Sequence, residues 1–532
     1  MNHRDLFLFC LTCFVALTIT NPGLFLNDEW MSAAQITQIG QGQQAIYNEG
    51  SFGYFANGTI GTYMESRNNV LMYSLALPLL ALPLFLAVSN FANPMMFLSL
   101  VWTVFGILTI ATAPSRVGPY RLRLITVMLV VGLLSAIICP AVGGDARAVI
   151  ALVLTNLLVY GGFAVLVART LDRLVAPDLH GYCWLVTLAC STLLFWAGTG
   201  KDHMMVAFLV LACGYGMIRY WQTQSSLILA ALCAGLLVWV RTEVGVFVLL
   251  AFLLLILAYR APARDLIAGI GAAGCGIIPF FVNNWVVSGN LLTPPFLMAN
   301  AAKYTGTVVS HTAMVTAVFH NPVAYLNPVD GLQLLLMPAS GALGLIAFGV
   351  AIIAGAAWIR DRRPPIGREL ITLLVLGGAS FVYYLLFCGF LLHLDTGIVP
   401  DIRYATAAYA PVTIAALSLL TRLGHIDPLR EVRTGAVAFL VAVPTILVLL
   451  LVVPLFGASY PQFTHLINLL LVTVMVITLG RPGTYGTGVT LVAVLLLIWQ
   501  LGMVFVYGDI KINGYPYLPI VDWLHTLLFR WS

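Results

Sequence analysis

Residues 5–30 read DLFLFCLTCFVALTITNPGLFLNDEW. The run FLFCLTCFVALTIT (7–20) carries no charge, and an acidic pair, Asp28 and Glu29, follows it with Trp30 directly behind. A bilayer core of about 30 Å takes about 20 apolar residues per helix, and an aromatic ring prefers the headgroup level. The stretch therefore reads as a membrane helix that ends at a water boundary where two carboxylates sit side by side. No small-x-small cleavage site follows, so the segment is expected to be a retained first helix.

The rest of the chain agrees with that reading. Of its 532 residues, 61% are hydrophobic and 8% charged, and mean hydropathy is +0.98. Such a composition excludes a soluble globular protein. Net charge is +5 and lies mostly in short connecting segments, where it carries topology; a nucleic-acid partner is not expected. The nine cysteines fall in apolar segments with no CxxC pair or metal-ligand spacing and read as buried small hydrophobes.

Further apolar blocks near 94–113, 122–139, 147–167, 183–197, 204–220, 227–241, 244–259, 266–283, 341–359, 370–391, 404–421, 435–456, 463–480 and 487–507 join the first span near 6–23. The expected fold is an all-α polytopic membrane protein of thirteen to fifteen transmembrane helices. Alternating crossings put the basic segments 115–123, 168–174, 259–264, 360–369 and 421–433 on one side, the cytoplasmic one by the positive-inside rule. Most of the acids then fall on the extracytoplasmic side. The run NVLMYSLALPLLALPLFLAV (69–88) would invert this order if it crossed. With Pro78 and Pro83 inside it, it is read as an interfacial or re-entrant helix pair on the outer face. No clear inverted repeat or separate soluble domain is visible.

Ionisable residues at a membrane boundary are costly and are candidates for function. Asp28 can serve as a general base above an apolar slot, or simply cap the helix that AAQITQIGQ predicts. Glu65, beside Arg67 in a Gly-rich stretch, is a second candidate carboxylate or a surface residue. Lys201, Asp202 and His203 in GKDHMM can hold a phosphate or only wet a hairpin. Arg241-Thr242-Glu243 interrupts two apolar runs; its guanidinium suits a phosphate head group, and an Arg–Glu structural pair is the duller alternative. Arg403 in VPDIRYATAAYAP is a second phosphate candidate, with Asp401 as a local partner. His311, His320 and His393 have no metal spacing, and no Walker loop, GxSxG or GxGxxG is present, so neither metal nor cofactor is expected.

The order of these features resembles the GT-C superfamily of integral membrane glycosyltransferases, in particular prokaryotic relatives of the dolichyl-phosphate-mannose protein mannosyltransferases and of the lipid A aminoarabinose transferases. The resemblance rests on LNDEW (26–30), the Pro-containing run 60–88, GLLVWVRTE (235–243), PFFVNNWVVSGNLLTPP (279–295), NPVDGLQLLLMPASG (327–341) and DIRYATAAYAP (401–411). It implies a catalytic module over 1–420, with a first outer loop 24–93, followed by C-terminal helices over 421–532. It also implies a polyprenyl-phosphate sugar donor, a catalytic carboxylate in the pair Asp28 and Glu29 with Asp28 favoured as base, and Arg241, Arg403 and Lys201 around the donor phosphate with His203 in the Lys201 loop; Glu65, Asp202 and Glu243 stand as further site candidates from the residues themselves. The acceptor, a glycan, lipid or protein, stays open. A WWDYG-like motif and a C-terminal soluble domain of the oligosaccharyltransferase kind are absent. The competing readings are a transporter or lipid-linked-sugar flippase, which needs charge near the midplane, and a surface-polysaccharide ligase or polymerase, which places its polar loop late in the chain.

Overall fold

The computed structural model describes residues 2–24, 29–42, 73–144, 146–295, 348–361, 365–384, 402–452, 460–481, 483–510 and 518. Among them every regular element is a helix: α1 (His3–Ile19), α2 (Glu29–Gly40), α3 (Ala76–Ser89), α4 (Pro94–Thr112), α5 (Arg121–Ile138), α6 (Ala146–Leu174), α7 (His180–Cys190), α8 (Leu193–Ala197) and α9 (His203–Thr223). They continue as α10 (Ile228–Val240), α11 (Thr242–Ala258), α12 (Ala263–Ser288), α13 (Gly349–Arg360), α14 (Arg368–Tyr384), α15 (Ile402–Arg422), α16 (Pro428–Val452), α17 (Tyr460–Gly480) and α18 (Tyr485–Ile510). Seven helices among the described residues are long and apolar enough to cross a membrane. Chain-long apolarity selects helices, because in lipid only an intra-segment hydrogen-bond ladder satisfies the backbone.

The helices share a common pair of ends, which side-chain bonds identify. Asn2 caps α1 by accepting the Asp5 N–H at 2.8 Å, and Arg4 then forks onto Asp172 with both bonds at 3.0 Å or less. Arg169 reaches the buried Asp5 at 2.6 Å. These contacts lay the start of α1 against the end of α6. Tyr220 meets Asp265 at 2.9 Å, Trp221 meets Thr372 at 3.0 Å, and His425 meets Asp361 at 2.7 Å. Together with the antiparallel run of α4 along α1, fixed by the Trp102–Thr18 bond, they gather all five basic connecting segments at one end of the bundle. This is the arrangement the alternation of spans requires.

Two helices form the central pillars. The apolar windows of α6 and α9 are each 78% buried, against 22% in α5 and α12 and 11% in α16, whose apolar sides face outward as a lipid-exposed belt. Small residues set the tightest contact. Gly235 of α10 lies against Ala273 and Gly276 of α12, and a Cβ added at Gly276 would stand 2.6 Å from the Leu232 carbonyl, so the two backbones nearly touch.

Two expectations need revision. The span near 183–197 is broken: α7 stops at Cys190, Thr192 adopts φ 58°, and α8 restarts at Leu193. The proline-containing run is one helix, α3, and not a pair. Pro78 occupies its first turn, where a missing N–H costs nothing, and Pro83 removes a single ladder bond. Leu75 at its start accepts no such burden: its N–H donates to Asn283 Oδ1 at 3.2 Å, beside the Ser74 bond to the Val240 carbonyl. Asn93 just after α3 caps α4 at the same end, so α3 lies across that end without crossing the bundle.

Candidate functional site

The end of the bundle opposite the basic connectors collects the charged residues singled out from the sequence. It is built by the early stop of α7–α8. At the break, Gln500 of α18 accepts the Leu194 N–H at 2.9 Å and donates to the Ala189 carbonyl at 2.6 Å, satisfying backbone groups that a continuous helix would have paired internally. The short α8 then releases Gly198–Asp202 as a loop folded down into the protein instead of over it. Asn156, in the apolar interior of α6, donates to the carbonyls of Thr199 at 2.7 Å and Lys201 at 2.6 Å and pins this loop from below.

Around that loop the side chains converge. Glu29, in the first turn of α2 and 0% exposed, accepts the Gly200 N–H at 3.0 Å through Oε2. Gly200 leaves no room for much else: a Cβ there would stand 3.3 Å from the same carboxylate oxygen. Lys201 is 5% exposed; its Nζ donates to the Tyr73 hydroxyl at 3.0 Å and sits 4.2 Å from the centre of the same ring. Tyr73 is itself held from α2, because Gln35 donates to its carbonyl at 2.9 Å. Ring and hydroxyl together keep the Lys201 amino group in a fixed place.

Arg241 enters from the corner between α10 and α11, where it is the single extended residue between the two helices (φ −151°, ψ 96°). The corner is this sharp because Gly245 packs directly on the Val238 backbone with no Cβ between them. The guanidinium Nη1 donates to Asp202 Oδ1 at 3.0 Å and lies 3.3 Å from His203 Nδ1, and the two ion-paired side chains are only 14% and 15% exposed. His203 packs edge-on against Trp196 of α8, ring centres 4.8 Å apart. Asp202 thus gives up the N-terminal cap of α9 that its position offers and orients Arg241 instead.

Of the residues expected at the site, Glu29, Lys201, Asp202, His203 and Arg241 therefore meet at one end. The acid that Arg241 meets is Asp202; Glu243 lies in the first turn of α11, partly exposed. Arg403 lies in the first turn of α15, at the same end by the run of that helix, and its side chain is outside the described residues. Asp28 and Glu65 also lie outside them. Three participants carried no flag in the sequence reading: Tyr73, Asn156 and the Gly200 N–H. Asn156 had a usable signal, since an amide inside ALVLTNLLVY must find partners in the protein. Among the described residues no group of three His, Cys, Asp or Glu could hold a metal ion.

The chain matches no family model and no curated protein. Its structure is similar to that of ArnT. That structure is ArnT from Cupriavidus metallidurans bound to undecaprenyl phosphate; the TM-score is 0.47 at 13% sequence identity, over 93% of this chain and 75% of that one.

Proposed function

We propose that this protein is a membrane glycosyltransferase of the GT-C kind, moving a sugar from a polyprenyl-phosphate-linked donor to an acceptor hydroxyl on the extracytoplasmic face. The observation that carries the reading is the convergence of Glu29, Lys201, Asp202, His203 and Arg241 from separate stretches of a chain that is only 8% charged. Cations held in place at one end of an apolar bundle are what a leaving lipid phosphate needs; the sequence resemblance supports the same assignment. A carrier would need charge near the midplane, whereas the described charged residues gather toward the two ends.

In this mechanism Asp28 takes the proton from the acceptor hydroxyl as its oxygen attacks the anomeric carbon. The bond from that carbon to the phosphate oxygen breaks, and the polyprenyl phosphate leaves with the electron pair. Arg241, oriented by Asp202, and Lys201, oriented by Tyr73, stabilise the charge that develops there, joined by Arg403. Glu29 is too enclosed to meet an acceptor; its role is to tie the start of α2, and so Asp28 next to it, to the Gly200 loop. His203 and Glu243 complete the polar surround, and Glu65 is a further candidate carboxylate by sequence.

The test offers purified full-length protein radiolabelled polyprenyl-phosphate mannose, glucose and arabinose, with membrane extract as acceptor. Transfer from one donor is expected, abolished in Asp28→Asn and reduced by about a hundredfold or more in Arg241→Ala, the usual effect of removing one charge-stabilising donor. If no donor is consumed by the wild type, or if both variants transfer normally, the proposal falls. Movement of a lipid-linked sugar across sealed vesicles without transfer would replace it with the flippase reading.

A further inference from the structure

Away from that site, a crevice of about 500 Å³ opens between α1, α7, α16 and α18. Its walls are apolar, but polar side chains mark its two ends: Glu431, Thr490 and Tyr182 near the basic connectors, Gln500 deeper in. From Thr490 to Gln500 is ten residues of α18, about 15 Å at 1.5 Å per residue. That is about half of a 30 Å hydrocarbon core, the depth of one leaflet. The crevice also opens sideways. Val15, Leu185 and Val432 all line it, and each is about half exposed (47%, 55% and 48%) where the protein meets lipid.

The polar end has an imbalance of charge. Glu431 is 2% exposed, and its oxygens accept from two hydroxyls, Thr487 at 3.2 Å and Thr490 at 3.1 Å. The single Thr490 proton is shared with the Gly486 carbonyl at 3.0 Å, while Tyr182 stands 2.9 Å from the same hydroxyl oxygen. Among the described residues no Lys, Arg or His forms an ion pair with Glu431. A carboxylate with about four lone-pair sites is thus left with two neutral donors, at the lip of a lipid-facing slot. The neighbours Arg430 and Arg433 are exposed at the same level.

We propose that this crevice binds one phosphatidylethanolamine of the leaflet bordering the basic connectors. One acyl chain lies along α18 toward Gln500, and the ammonium group donates to Glu431. The ammonium group supplies both the missing charge and the missing hydrogen bonds; a glycerol head group lacks the charge, and a choline head group lacks the donors.

The test reconstitutes the full chain in nanodiscs of equal phosphatidylethanolamine, phosphatidylglycerol and phosphatidylcholine, transfers it to detergent, and counts retained lipids by native mass spectrometry. The wild type is expected to keep one phosphatidylethanolamine in preference to the other two by about tenfold, the size of a charge-assisted hydrogen bond. Glu431→Gln keeps the shape and is expected to lose that preference. Ala436→Trp, at an exposed lining position of α16, fills the slot and is expected to retain no lipid of any class while melting as the wild type does. Equal retention of the three lipids by the wild type, an undiminished preference in Glu431→Gln, or retention by Ala436→Trp equal to the wild type each overturns the proposal. So does a wild type that keeps no lipid, which would point to a segment of the chain itself in the slot.

Discussion

Asn156 shows how one amide inside an apolar helix can set a site that lies elsewhere. Its N–H groups serve two carbonyls of the Gly198–Asp202 loop, Thr199 and Lys201, at 2.7 and 2.6 Å. Asn156→Leu removes both donors where water does not reach, and each orphaned acceptor costs about 1–3 kcal/mol. The melting temperature in detergent is expected to fall, with transfer falling alongside as Lys201 drifts from Tyr73; an unchanged melt would contradict the bridge. Glu29 and Asp28 separate in the same kind of experiment. Glu29→Ala deletes the acceptor of a buried N–H bond and is expected to lose about 1.5–3 kcal/mol of stability, while Glu29→Gln keeps an oxygen in place and most of that stability. Asp28→Asn is expected to leave the melt unchanged and to abolish transfer, so a destabilised but active Asp28→Asn together with a stable but inactive Glu29→Ala would reverse the two roles. At this scale the sequence announced what charge announces: Glu29, Lys201, Asp202, His203 and Arg241 stand out because charge is scarce. It could not announce the Gly200 N–H, a backbone group without a letter of its own, nor Tyr73, one tyrosine among 21.

Helix α7 ought to have continued through residue 197, since nothing in LACSTLLFWA breaks a helix on its own account. No proline or glycine interrupts it. The break is instead paid from outside: Gln500, brought in by α18, offers both a donor and an acceptor to the split backbone, and the β-branched Thr192 is held at φ 58°. A non-glycine residue in that region stores about 1–3 kcal/mol. Thr192→Gly is therefore expected to raise the melting temperature, whereas Gln500→Leu strands the Ala189 carbonyl and the Leu194 N–H and is expected to lower it. Opposite signs for two substitutions at one break distinguish a designed interruption from a loose end; the same sign for both would contradict it. The α10–α11 corner makes the complementary case. Gly245→Val places a side chain into the Val238 backbone, and is expected to pry the corner open and to weaken both packing and transfer, because Arg241 sits on that corner. Helix lengths and most boundaries were legible from apolar runs and flanking charge, because each depends on local composition. The break at Thr192 and the single-helix form of α3 were not, because distant partners decide them: Gln500 for the first, Asn283 and the Val240 carbonyl for the start of the second.

At the scale of the whole molecule, the two ends of the bundle differ in kind. One carries the basic connectors, with partly exposed pairs such as Arg4–Asp172 and His425–Asp361, worth little individually in water, beside the buried Asp5 and Glu431. The other encloses its charges, with Glu29 and Lys201 almost wholly buried and Arg241 locked to Asp202. By the positive-inside rule the exposed arginines of the basic end are expected in the cytoplasm, which would turn the Glu29 end outward, the face that the proposed reaction needs. In the proposed reaction the donor lipid would reach the site from the outer leaflet with its activated bond already made. Single cysteines introduced at Asn290, exposed just beyond α12 at the Glu29 end, and at Arg430, exposed at the basic end, test this directly. In intact right-side-out vesicles a membrane-impermeant maleimide is expected to label Asn290→Cys and to spare Arg430→Cys until the membrane is opened. The parent chain serves as the background, since Cys275 is its only exposed cysteine among the described residues and lies within the apolar length of α12. The reverse pattern would place Glu29, Lys201 and Arg241 in the cytoplasm, and an outer-leaflet sugar donor could no longer be their substrate.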